Sequence, residues 1–224
     1  MHAQAPAAIS NMAFNYFDIV VVVWLIIGVL RGRKLGMSQE LLPMLKWITI
    51  VIVAGLFYRP FSLIIRQNTS TGFDPLWANV TAYVIIMLGI LLVFTWIKKA
   101  IGDKLVGSDI FGSAEYYLGM LGGMIRFACM LLVLLALMHS RLYTTEELVA
   151  TAKMQKQAFE DISFPTYGSI QHAVLSQSFT GRLVSENLPM ILIASVTPDQ
   201  RPKRETPAHK EQDVLDSVIG APKK

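Results

Sequence analysis

Asp18, Glu40 and Arg126 are the residues whose types and positions could do chemistry in this chain. Each is a charge set in or beside a long apolar run, where a carboxylate can relay a proton and a guanidinium can grip an anion. Asp18 lies one turn inside the first run, Glu40 opens the second, and Arg126 lies nine residues into the fourth. At about 1.5 Å per helical residue, Arg126 is roughly 13 Å deep, near the middle of a bilayer. A charge there costs about 2.5–3.5 kcal/mol even on lenient scales, so it is expected to face other helices and find a partner. Glu40 is the expected partner, across a helix 2–helix 4 contact made close by Gly119 and Gly123. The alternative is that Arg126 snorkels to the headgroups, as Lys46 is expected to do. Asp18 is shallow enough to cap or anchor helix 1 at the interface; a substrate or proton role is its alternative.

Other chemistry has no residues to carry it. The sequence holds no HExxH pair, no GxSxG elbow, no glycine-rich phosphate loop and no CxxC pair. His2, His139, His172 and His209 are scattered, and His139 is expected at the membrane interface. Cys129, the one cysteine, has no partner in the chain and reads as a small hydrophobe in a helix. No catalytic residue, cofactor or metal site is therefore expected.

The elements that must position these charges follow from composition. Hydrophobic residues make up 53% of the 224 and charged ones 16%, against about 25% charged in a soluble domain. Lipid is then the solvent, and an all-α membrane protein with four transmembrane helices is expected, at about 14–30, 41–58, 76–97 and 117–138. The second is expected to close at Arg59-Pro60. The first run has no Lys or Arg before it and a basic cluster after it, which fits a retained helix instead of a cleaved signal.

Basic loops set the orientation. Arg31, Arg33 and Lys34 fall in the first connection and Lys98, Lys99 and Lys104 in the third, whereas the N-terminal segment holds none. Short loops rich in Lys and Arg stay cytoplasmic, so both chain ends are expected on the periplasmic side. Residues 1–140 hold ten Lys/Arg against six Asp/Glu, and residues 141–224 hold ten against ten. The positive excess thus belongs to the membrane half, and nucleic acid is not an expected partner.

Gly28, Gly32 and Gly36 recur at intervals of four, as do Gly119 and Gly123. Small residues at that spacing let two helix backbones approach closely in lipid. Packing within the chain is the leading expectation; a dimer face is the alternative, and Gly32 and Gly36 could instead be hinges.

Residues 1–13 are expected to be a short extracytoplasmic segment and 14–140 the transmembrane domain. Residues 141–196 read as a polar helix (144–160) followed by amphipathic stretches. Met190 to Val196 is too short to span and is expected to pack on the membrane surface or the bundle. Residues 197–224, rich in Pro and charge, are expected to form a disordered tail.

Several of these residues carry a resemblance. Asp18, Gly36-x-x-x-Glu40-Leu41-Leu42, Trp47 and above all Glu115-x-x-Leu118-Gly119-x-x-x-Gly123-x-x-Arg126 resemble the colicin V production protein family, over about residues 14–180. The chain departs from the family pattern at Leu35 and Tyr116, where basic residues are usual. The resemblance implies an inner-membrane protein linked to production or secretion of a bacteriocin toxin, with no established molecular activity. Relatives in which a similar domain precedes an extracytoplasmic serine protease imply an outside C-terminus.

The function expected is that of a non-catalytic accessory or scaffold protein of the bacterial inner membrane. It would support toxin production or envelope homeostasis through membrane-protein partners or self-association in the bilayer. The alternative is a small oligomeric channel or transporter with a polar path lined by Asp18, Glu40 and Arg126.

Overall fold

The first helix begins where the sequence provides a cap. Asn15 Oδ1 accepts from the Tyr16 N–H at 2.7 Å, and Asp18 Oδ2 accepts from the Asn15 N–H at 3.0 Å. This reciprocal box occupies donors that a helix N-terminus otherwise leaves orphaned. The computed structural model describes residues 15–68, 74–101, 112–141, 143–159 and 165–196. Among them the helices are α1 (Tyr16–Leu35), α2 (Met37–Asn68), α3 (Pro75–Ile101), α4 (Glu115–Met138), α5 (Thr145–Phe159), α6 (Tyr167–Leu175) and α7 (Phe179–Asn187), with a single 3-10 turn, Gly112–Ala114, leading into α4.

Only Gly36 separates α1 from α2. Its φ of 77° is a conformation that an L side chain adopts at a cost. Arg31, Arg33 and Lys34, expected in a loop, are therefore the last turns of α1. Of the two hinge candidates, Gly36 is the hinge.

The long helices pack in a simple order. α4 lies against both α1 and α2, α3 lies against α2, and α1 touches α2 only lightly. Three helical segments are long and apolar enough to cross a membrane: Met37–Asn68, Pro75–Ile101 and Gly112–Met138. α1 has 20 residues but carries Asp18, Arg31, Arg33 and Lys34, which confine its uncharged stretch to Ile19–Leu30.

The expected end of the second helix is corrected. α2 continues through Pro60 to Asn68, so Arg59 and Arg66 are helical and not loop residues. A proline inside a helix costs roughly 3 kcal/mol. Tertiary burial on both sides offsets it here, because Tyr58 and Ser62 are sealed in the interior. The Tyr58 hydroxyl also accepts from the Ala194 N–H at 2.7 Å.

The core gathers between the long helices and the C-terminal region. Ile50, Val51, Ala54 and Tyr58 of α2, Ala82 and Tyr83 of α3, and Cys129, Val133, Leu135 and Ala136 of α4 form it. Val174, Leu175, Val184, Leu192 and Ile193 close it from the C-terminal region. Met190 to Val196 thus packs on the bundle, one of the two placements its length allowed. The segment 165–196 is tied down by backbone as well as burial. Gln171 Nε2 donates to the Met138 carbonyl at 2.5 Å and to that of Arg141. His139 Nδ1 lies 2.9 Å from the Ile193 carbonyl oxygen, and the Val196 N–H donates to Ser140 O at 3.2 Å. The expected segments 1–13 and 197–224 lie outside the described residues.

Candidate functional site

The polar groups buried in the bundle fall into two clusters at opposite ends, joined by a seam of glycines. The seam sets the distances. α1 and α4 run antiparallel, with Trp24 beside Phe127, Gly28 beside Gly123, Gly32 beside Gly119 and Gly36 beside Glu115. A Cβ on Gly119 would come within 2.5 Å of the Gly32 carbonyl oxygen and 2.8 Å of the Gly36 Cα. One on Gly32 would collide with the Gly119 carbonyl, and one on Gly123 with that of Gly28. Backbone meets backbone along this line, which is the contact that small residues four apart permit. Trp24 continues it: its indole N–H donates to the Phe127 carbonyl at 3.2 Å.

This corrects one expectation. Gly119 and Gly123 close the α1–α4 contact and not the α2–α4 contact. The glycine turned toward α2 is Gly122, whose added Cβ would lie 3.3 Å from Met37 Sδ and 3.7 Å from Glu40 Cβ. Residues 119 and 123 share one helical face, and 122 lies about 100° around from 123 at 3.6 residues per turn, toward α2.

At the Gly36 end, Arg126 Nη1 donates to both carboxylate oxygens of Glu40, at 3.1 and 3.0 Å. Glu40 is fully buried and the Arg126 side chain is 16% exposed. Burial alone would penalise both charges; together they are compensated, although Arg126 Nε remains without a partner. About three turns earlier, on α4's first residue, Glu115 Oε1 accepts the Ser38 N–H at 2.6 Å. The carboxylate of α4 thereby caps the N-terminus of α2, next to the Gly36 hinge, where its charge also meets the positive end of the helix dipole. Sequence reasoning assigned Glu115 no task; its signal was the acidic position at the head of the Leu-Gly-x-x-x-Gly-x-x-Arg pattern.

Asp18 occupies the other end. It is only 2% exposed and, as its place one turn into the run implied, it caps α1. Besides capping α1, it accepts from the Phe179 N–H at 3.0 Å, the Thr180 N–H at 2.9 Å and the Thr180 hydroxyl at 2.8 Å. One carboxylate therefore caps two helices, α1 and α7, that are 161 residues apart in the chain. Asn15 Nδ2 adds a bond to the Ala173 carbonyl at 3.2 Å. Asp18 does not meet Glu40 or Arg126; the structure brings the latter two together and leaves Asp18 with the C-terminal cap. Lys46 is half-buried on α2.

Among the described residues no group of three His, Cys, Asp or Glu could hold a metal ion. The buried charges serve as ion pair and helix caps, and the long apolar helices face outward with Val, Ile and Leu. Such a fold and such sites define a multi-pass helical membrane protein. The chain belongs to the colicin V production protein family, whose family model matches residues 17–162. The match takes in the four long helices and α5 and stops before α6 and α7. No curated protein and no solved structure matches the chain.

Proposed function

We propose that this chain is a non-catalytic accessory or scaffold protein of the bacterial inner membrane, acting in colicin V-type toxin production or secretion and in envelope homeostasis. The observation that carries this reading is how the buried charges are used. Asp18, Glu40 and Glu115 are the buried carboxylates among the described residues, and each accepts hydrogen bonds from another part of the fold. A polar path for a solute would need such groups turned toward an opening; here they hold helices together.

In this reading α1 spans as well, giving four crossings. Its antiparallel run along α4, from Trp24 to Gly36, supports this, because the two helices then share one depth range. The length agrees: 20 residues at about 1.5 Å each give roughly 30 Å, the thickness of a bilayer core. With the basic ends of α1 and α3 in the cytoplasm, α6, α7 and residues 188–196 form a periplasmic cap.

Partners would meet the outward helix faces. Of the three long apolar spans α3 is the least covered, and Leu92 on it is 64% exposed. A photo-crosslinking side chain at Leu92, activated in native membranes, is expected to give a discrete adduct with another inner-membrane protein. Adducts to lipid alone, from Leu92 and from Ile26 on α1, would remove the scaffold reading.

A further inference from the structure

The glycine seam has a consequence for the surface beside it. Where two backbones touch without side chains, the flanking rows splay apart and leave a groove between them. At the Gly36 end this groove is a cleft of about 610 Å³, lined by Leu30, Arg33 and Lys34 of α1 and by Tyr116, Tyr117 and Met120 of α4. Arg33 and Lys34 are exposed and make no ion pair among the described residues. Across the seam Glu115 is buried and engaged with the Ser38 N–H. The first turn of α4, which supplies the two tyrosines, has no side-chain cap at Ala114, so no side chain there offsets the positive end of its dipole.

We propose that this cleft binds the phosphate of an anionic phospholipid headgroup, with the acyl chains running down the groove past Leu30 and Met120. The chemistry recognised is a phosphate ester, and its place at a helix end beside the bilayer makes lipid the source. Arg33 and Lys34 provide the charge. Tyr116 and Tyr117 are amphipathic rings of the kind that settle at headgroup level and can donate to phosphate oxygens. The uncharged stretch of α1 stops at Leu30, so apolar wall and basic rim meet where hydrocarbon gives way to headgroup. The inference rests on α1 lying in the membrane, as proposed above, and not on the scaffold role.

The full-length chain in mild detergent, titrated with phosphatidylglycerol or phosphatidylcholine and read by native mass spectrometry, tests the site. Each basic side chain near an anionic headgroup is worth about fivefold, so R33Q/K34Q should lower retention of phosphatidylglycerol by roughly 30-fold. Phosphatidylcholine, whose phosphate charge is offset by its own choline cation, should be held more weakly by the parent and lose less in R33Q/K34Q. K98Q/K99Q, with the same charge loss at the same membrane end, should behave as the parent. Equal loss in K98Q/K99Q would reduce the effect to general surface charge and overturn the site. Undiminished phosphatidylglycerol binding in R33Q/K34Q would overturn it too. Displacement of the lipid by millimolar inorganic phosphate would assign the cleft to a free anion and overturn the lipid source. Detergent removes insertion from the readout, so a wrong topology and an empty cleft give different results.

Discussion

Arg126 and Glu40 meet across the α2–α4 interface through a single guanidinium nitrogen that bonds both carboxylate oxygens, at 3.1 and 3.0 Å. Removing one partner strands the other charge away from water, which for a buried pair costs about 3–5 kcal/mol. Glu40→Gln and Arg126→Gln should each lower the thermal stability of the detergent-solubilised protein. The double variant removes the orphan and should be more stable than the sum of the two losses implies. Unfolding midpoints for the four proteins of this cycle decide the matter; strict additivity would mean that the two charges do not depend on each other.

The seam predicts a sharper discrimination among glycines. Gly32→Ala and Gly123→Ala each place a methyl against a facing carbonyl, and backbone cannot rotate away as a side chain can. Overpacking of this kind costs about 1–3 kcal/mol or more. Gly89→Ala on α3, with nothing within 4 Å of the added carbon, should be neutral or slightly stabilising. Equal membrane abundance for all three variants would mean that α1 and α4 are not held this close.

How far the sequence was legible follows from the same residues. The long apolar runs were plain because uncharged length is a one-dimensional property, and the Glu40–Arg126 pair followed from charge and depth. The partner of the glycines was not legible. Gly119 and Gly123 give a face, but which helix meets that face is a matter of how the helices are ordered, and no local pattern encodes that order. Pro60 misled for a related reason: its local penalty is visible in sequence, whereas the burial of Tyr58 and Ser62 that offsets it is tertiary. The second task of Asp18 was hidden because its acceptors face donors at Phe179 and Thr180, at the far end of the chain.

Asp18→Asn tests that double cap. The variant keeps the shape but replaces one acceptor oxygen with a donor amide, which would then face backbone N–H groups. Loss of a helix cap costs about 0.5–2 kcal/mol, and two helices are affected here. The C-terminal cap should open more often, so amide exchange in residues 167–187 should quicken while that of α3 stays at the parent rate. Unchanged exchange in α7 would show that Asp18 is not what holds the cap.

The basic ends of α1 and α3 predict the orientation. Reporter fusions at Ser70 and after Val196 should both read as periplasmic, because an even number of crossings separates them from each other and from the start of the chain. Cytoplasmic signals from both would invert the bundle. Opposite signals would mean that the number of crossings between them is odd.

The channel alternative makes a prediction that the scaffold reading forbids. A conducting path would have to connect the Asp18 end of the bundle with the Glu40–Arg126 end. Between them lies the packed core of Ile50, Val51, Ala54, Tyr83, Cys129 and Val133. Along the other contact, the α1–α4 seam leaves no space even for a methyl group. A hydrated route through one chain is therefore closed at both places, and only an assembly of several copies could form one. Purified protein reconstituted in liposomes at high density should neither release a trapped dye nor dissipate an ion gradient above the rate of empty vesicles. Flux that changes in Asp18→Asn or Glu40→Gln would overturn this, since it would place those carboxylates on a path. Flux insensitive to both would leave the single bundle closed but locate a pore between copies, and would count against the scaffold reading. Silent vesicles in the parent and in both variants are the expected result, because each carboxylate is already held by donors of its own fold.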